Sequence, residues 1–184
     1  MITVMKLIDD TIAKEGNGRY TDDPSDSGGP TRWGITKKTA RLYGYTGDMR
    51  ELPRGKAVDI YMAMNWVEPG FSKVERFSPE LAAEMFDYAA PTGAGTVIKM
   101  LQRCLNVLNS DGDYFPDIKV DGTIGEVTTM CLAAYTKRRG GEGVLVLRGM
   151  VKCLYGNYLI ELAERRAKDE KFIYGWFKNR VLGL

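Results

Sequence analysis

Glu15-Gly16-Asn17-Gly18-Arg19-Tyr20-Thr21-Asp22-Asp23-Pro24-Ser25-Asp26-Ser27-Gly28-Gly29-Pro30-Thr31-Arg32-Trp33-Gly34-Ile35-Thr36 is the stretch on which the reading of this chain turns. Upstream of it, Val4, Leu7, Ile8 and Ile12 recur at helical spacing, with Met5 alongside. Glu15 therefore falls at or near the last turn of a helix, and Gly16 suits the left-handed position just past a helix end. The negative end of the helix dipole disfavours a carboxylate there, which is the direction a general acid needs. From Gly16 to Pro30 the chain is rich in glycine, proline and aspartate, the composition of turns or a short irregular hairpin. Gly28-Gly29-Pro30 permits close backbone approach by a ligand or another strand. No GK[ST] follows and no GxGxxG opens a helix, so phosphate cradling is disfavoured.

Outward from this stretch the pattern is helical. Thr36 can cap a short helix over Lys37–Tyr43 that Gly44 closes. A second helix is expected from Pro53 through Ala57, Tyr61 and Met64 to Trp66. Ser78-Pro79 starts another, with Leu81, Ala82, Met85, Phe86 and Ala89 on one face, and Pro91-Thr92-Gly93-Ala94-Gly95 ends it. That break is the expected boundary between two lobes, 1–93 and 94–184. Val97, Met100, Leu101, Cys104, Leu105 and Leu108 form the cleanest apolar stripe. A loop rich in Asp and Gly follows over Asn109–Gly125; its Asp111, Asp113 and Asp117 invite a calcium reading, but the glycine and glutamate positions do not fit an EF-hand. Helices are then expected over Glu126–Arg139 (Val127, Met130, Cys131 and Ala134 inward), Val144–Lys168 (Leu147, Val151, Leu154, Tyr158 and Leu162 inward) and Phe172–Val181. The fold class is mainly α, with a small β-hairpin or irregular loop near the N-terminus.

Composition narrows the chemistry. The 184 residues include no histidine, which removes Ser-His-Asp and Cys-His nucleophile systems and every His-bearing zinc site. Carboxylates, with Lys and Tyr behind them, are left for acid–base work. A formal net charge of +2 gives no electrostatic case for nucleic acid. Cys104, Cys131 and Cys153 are unclustered and lie in apolar helical patterns, and are read as buried thiols made in a reducing compartment. The segment Met1–Ile12 has too short an apolar run, with Asp9 and Asp10 in it, for a signal peptide, and no stretch approaches a membrane span. The expectation is a chain that accumulates in the cytoplasm and reaches its target when something else opens the membrane, with no stable membrane insertion.

Glu15-Gly16, then Tyr20, then Asp23-Pro24-x-Asp26-x-Gly28-Gly29-x-Thr31-x-x-Gly34-Ile35-Thr36 resembles glycoside hydrolase family 108. That family comprises N-acetylmuramidase endolysins of phages and related bacterial secretion activator proteins. Ile60-Tyr61 leading to Trp66, Phe86-Asp87-Tyr88-Ala89 with Gly93, and Leu101-Gln102 to Leu105-Asn106 agree with the resemblance. The C-terminal half resembles the family's predicted peptidoglycan-binding region in Leu101-Gln102, Leu105-Asn106, Val120-Asp121-Gly122-x-Ile124-Gly125, Thr128 and Gly175-Trp176-x-x-x-Arg180. Two departures stand out. The family's Glu-Gly-Gly-Tyr is interrupted here by Asn17-Gly18-Arg19, and Asn65 precedes Trp66 where an aromatic is more usual.

The resemblance implies a lysozyme-like helical fold, a muramidase lobe over 1–93, a peptidoglycan-binding region over 94–184, and peptidoglycan as the partner of a monomeric enzyme. Two carboxyl groups can cleave a glycosidic bond with no metal, cofactor or histidine. Glu15 is the expected general acid. By analogy with phage-type lysozymes, Asp26 stabilises charge or holds a water and the Thr31 hydroxyl helps to orient it. Asp23 competes for the second role, against its alternative as the turn residue before Pro24. Tyr20 and Trp33 could stack on sugar faces or simply pack locally, and Gly28 and Gly29 would form the turn that brings Asp26 and Thr31 back towards Glu15. Two rival readings stand beside this one: a non-catalytic peptidoglycan-binding or secretion-accessory protein, and a lytic transglycosylase, which can act with one acid.

Overall fold

The computed structural model describes residues 4–15, 17–22 and 28–184, and these divide into two compact units, 1–68 and 69–184. In the first unit, α1 (Val4–Lys14) buries Ile8 and Ile12, and packs on α3 (Arg54–Met62). Beyond its end the Asn17 amide donates to the Ile12 carbonyl, with Asn17 itself left-handed at φ 46°. The left-handed residue observed past the helix end is Asn17, and Gly16, the one expected there, lies outside the described residues.

Three two-residue strands follow: β1 (Tyr20–Thr21), β2 (Thr31–Arg32) and β3 (Ile35–Thr36), antiparallel in the order β1-β2-β3. The register pairs Tyr20 with Arg32, Thr21 with Thr31, and Arg32 with Ile35. Strand β2 returns to β3 through Trp33 and Gly34 alone, at φ 57° and 74°. A two-residue loop with both φ values positive is the pattern of a type I′ turn, whose twist matches that of the flanking strands. Thr36 caps α2 (Lys37–Leu42) by accepting from the Thr39 amide, as its sequence position predicts. Gly44 closes α2 in left-handed geometry, with Tyr45 N–H on the Ala40 carbonyl. A 3₁₀ turn (Met49–Glu51) leads into α3, which begins just after Pro53 and runs into a wider π-type turn (Ala63–Val67) that buries Trp66.

The second unit contains α4 (Phe71–Glu75), α5 (Pro79–Thr92), α6 (Ala94–Val107), α7 (Glu126–Arg165) and α8 (Glu170–Trp176), the last running into a terminal turn (Phe177–Leu182). Ser78 caps α5, and Gly93, at φ 83°, ends it. Helix α6 buries the expected stripe up to Leu105, with Leu108 half-buried at its end. Helix α7 corrects two of the expected faces. Val127 and Met130 are exposed, while Thr128, Cys131, Leu132 and Tyr135 point inward. Further along, the inward residues are Leu147, Val151, Tyr155, Leu159 and Leu162, rather than Leu154 and Tyr158. Gly140 breaks the helical path at φ 59°, ψ −153°, and the helix resumes at once. Cys104 and Cys131 are buried as expected, but Cys153 is exposed.

The loop between α6 and α7 is held by two amide side chains on α6, Gln102 and Asn106, and by Asn109 just beyond its end. Gln102 donates to Asp121 (2.8 Å), to the Thr123 carbonyl and to Thr128, and accepts from the Gly122 amide. Asn106 exchanges two hydrogen bonds with the Ile118 backbone, and Asn109 donates to Asp117. A buried amide of this kind costs free energy unless satisfied, and here each is satisfied by the loop. Asp117 and Asp121 are therefore engaged in loop scaffolding. The second unit is mainly helical, as is the chain, and no helix among the described residues is long and apolar enough to cross a membrane.

Candidate active site

Glu15 emerges at the exposed end of α1, its amide still bonded to the Thr11 carbonyl. What it faces is the turn of the β2–β3 hairpin. A Cβ built on Gly34 would lie 2.7 Å from Glu15 Cβ and 2.7 Å from the Tyr61 hydroxyl oxygen, so the turn, the acid and the phenol meet at one point. Glycine is required there twice over, by that contact and by its left-handed φ. The Tyr61 hydroxyl, from α3, donates to the Trp33 carbonyl at 2.9 Å. Its burial, and then the nearby Glu15 charge, hold the phenol up to about 12. Tyr61 is thus a permanently protonated donor across the working range of pH.

Trp33 is fixed on several sides. Its indole N–H donates to the Leu52 carbonyl at 2.9 Å, and the Arg32 guanidinium stands 5.6 Å from its ring centroid. A Cβ on Gly18 would come within 2.6 Å of the indole, so the left-handed Gly18 lets the backbone lie directly on the ring. This gives the Asn17-Gly18-Arg19 segment, two residues longer than in the family pattern, a physical role: it supplies the seat for Trp33 and delivers Tyr20 into the sheet. A tryptophan at positive φ is a costly conformation that persists only when its surroundings over-determine it, and such positions concentrate at functional sites.

The other expected site residues are placed as follows. Thr31 donates its hydroxyl to the Gly29 carbonyl at 2.8 Å, closing the turn before β2, and Gly29 is left-handed at φ 63°. Gly28 is half-buried beside it. Tyr20 donates to Asp22 at 3.0 Å, with the Arg50 guanidinium 5.0 Å from its ring centroid. Asp26 and Asp23 lie outside the described residues. Tyr61, Leu52, Gly18 and Gly34 were not singled out as site residues from sequence. Gly34 and Tyr61 carried a signal only as members of the stretches that resemble the family.

Residues 8–93 match the family model described as Glycosyl hydrolase 108, and residues 96–181 that of the Predicted Peptidoglycan domain. The glycosyl hydrolase 108 segment holds Glu15, Trp33, Gly34 and Tyr61, and the peptidoglycan-domain segment holds the Gln102 and Asn106 scaffold. These two matches together support a peptidoglycan-related function, with peptidoglycan as a ligand and a glycoside hydrolase as the enzyme class. The structure of Brucella abortus SagA is similar in fold, at 21% identity over 95% of this chain and 87% of that one, with a TM-score of 0.53. No curated protein matches the sequence.

Proposed function

We propose that the protein is an N-acetylmuramidase that cleaves the glycan strand of bacterial peptidoglycan, with Glu15 as general acid. The observation that carries this reading is the position of Glu15. It is an exposed acid at a helix end, seated on the Gly34 turn and beside the Tyr61 hydroxyl, inside the glycosyl hydrolase 108 segment. In the proposed mechanism the Glu15 carboxyl donates its proton to the glycosidic oxygen as the bond to the leaving sugar breaks. Charge develops on the other sugar as an oxocarbenium-like centre. Asp26 is proposed as the second carboxylate, either stabilising that centre or holding the attacking water, with Asp23 its competitor. Thr31, already anchored to the Gly29 carbonyl, would present its hydroxyl oxygen as an acceptor to that water. Gly28 and Gly29 allow the sugar close to the backbone, and Trp33 and Tyr20 line its path. Residues 1–93 would carry the chemistry and 94–184 the recognition of the wall, in a monomer acting after release from the cytoplasm.

Mass spectrometry of wild-type digests of purified peptidoglycan tests the reaction class. New reducing N-acetylmuramic acid ends are expected. Anhydro-sugar ends would make the protein a lytic transglycosylase, and wall binding without new ends would make it an accessory binding protein.

The turn itself is testable. Gly34→Ala places a methyl group against Glu15 and Tyr61 in a backbone conformation that alanine rarely adopts. The expected cost is roughly 1–3 kcal/mol of stability, seen in a thermal melt. Cleavage should fall by about 10²-fold, because the acid is displaced from its position. A variant with wild-type rate would show that the Glu15–Gly34 contact is incidental.

A further inference from the structure

At the end of the β2–β3 hairpin away from the Trp33–Gly34 turn, where Lys37 meets Pro30, the first unit contains an open cleft of about 370 Å³. Its charged and aromatic lining is Tyr20, Asp22, Lys37, Arg41, Asp48 and Arg50. One wall is pre-built. Arg41 donates to the carbonyls of Tyr45 and Gly47, the Tyr45 hydroxyl donates to the Asp48 carbonyl, and Gly47 lies directly under the Tyr45 hydroxyl. Arg50 is held in the cleft by Asp48 at 3.7 Å and by the Tyr20 ring. Tyr20 in turn is bonded to Asp22. Lys37 is exposed at the start of α2, and no hydrogen bond or ion pair ties its ammonium to another described residue.

The lining is polar and carries both signs, Lys37, Arg41 and Arg50 against Asp22 and Asp48. An apolar ligand would leave these groups unpaired, and a polyanion would meet two carboxylates. A short peptide bearing both carboxylate and ammonium groups fits. The sheet also sets its distance from the acid. Lys37 donates its amide to the Pro30 carbonyl at the open end of the β2–β3 hairpin, and Gly34, which touches Glu15, is in the turn three residues back, roughly 10 Å along the hairpin. In peptidoglycan a zwitterionic peptide hangs from the muramic acid next to the bond a muramidase cuts.

We infer that this cleft is a stem-peptide subsite, in which Lys37 pairs with a peptide carboxylate, Arg50, steadied by Tyr20, supports it, and Asp22 faces the ammonium of the diamino acid. The inference rests on the muramidase reading and adds to it the part of the substrate recognised beyond the glycan.

The test uses the full chain and two substrates: soluble peptidoglycan strands with stem peptides, and the same strands stripped of peptide by an amidase. Wild type is expected to favour the peptide-bearing strands by about fivefold in kcat/KM, the scale of an exposed ion pair. Lys37→Ala should lose that preference while keeping the wild-type rate on stripped strands, and Lys37→Glu should invert it. Equal rates on both strands by wild type, or an undiminished preference in Lys37→Ala, would overturn the subsite. If wild type cleaves neither strand, the muramidase reading fails, and the subsite is then decided by binding of free stem tetrapeptide, followed by NMR. Binding to wild type that Lys37→Ala abolishes supports it, and no binding to wild type overturns it.

Discussion

Glu15→Gln is expected to lower the rate of glycan cleavage by about 10²–10⁴-fold, the range over which a positioned general acid contributes. Glutamine keeps the size of the side chain and its contact with the Gly34 turn, but has no proton to give to a departing sugar oxygen. The fold should be indifferent to the change. Glu15 is exposed, and its carboxyl makes no ion pair with any other described residue, so the expected stability change is within about 0.5 kcal/mol. The diagnostic outcome is therefore a split: an unchanged melting curve with activity lost, measured as turbidity loss and new reducing ends on purified walls. Full activity in Glu15→Gln would remove the acid from the mechanism altogether.

A chain ended after Gly93 is expected not to fold cooperatively, although it contains the whole glycosyl hydrolase 108 match. The reason is packing. Leu81, Ala82, Met85, Phe86 and Tyr88 of α5 are buried in the second compact unit, where α5 packs on α4 and α6. Tyr88 stacks on Tyr155 of α7 with centroids 4.0 Å apart, and Arg148 clasps Glu84 through two nitrogens at 3.1 and 2.7 Å. Arg180 reaches back from the terminal turn to Asp87 at 3.2 Å. Exposing the four large α5 side chains alone costs roughly 6–12 kcal/mol at 1.5–3 kcal/mol each. That is comparable with the whole stability of an ordinary domain. Circular dichroism melts and dispersion in NMR spectra would test this. A cooperative transition near that of the intact chain would show that α4 and α5 do not need α6 and α7.

The residues that carried the family resemblance divide into two kinds once their contacts are known. Gln102, Asn106, Asp121 and Thr128 hold a loop, and Asp87 and Arg180 hold a chain end; they are structural. Glu15 and Gly34 meet at an exposed point, the one where the proposed chemistry is placed. Helix α6 was readable because its inward face is uniformly apolar. Helix α7 was misread because inward residues carry hydroxyls: Thr128 finds the Thr123 carbonyl and Tyr135 the Gly143 carbonyl, so both can be buried while Val127 and Met130 stay outside. Hydropathy at helical spacing has no access to such partners. The candidate site was legible where it is local. Glu15 followed from the end of the α1 pattern and the glycine-rich segment after it. Tyr61 and Leu52 reach Trp33 from distant segments and through backbone carbonyls, which leave no trace in composition. The left-handed tryptophan ran against propensity, since nothing about that residue type predicts it.

The central claim, that Glu15 delivers the proton to the leaving oxygen, is tested most directly by varying how much that proton is needed. Wild type and Glu15→Gln would be compared on natural glycan strands and on muramyl oligosaccharides carrying an activated nitrophenyl leaving group. Glu15→Gln should lose cleavage of the natural strand yet keep close to the wild-type rate on the activated glycoside, whose phenolate departs unaided. Equal loss on both substrates would contradict the account and mark Glu15 as a nucleophile or a purely structural residue.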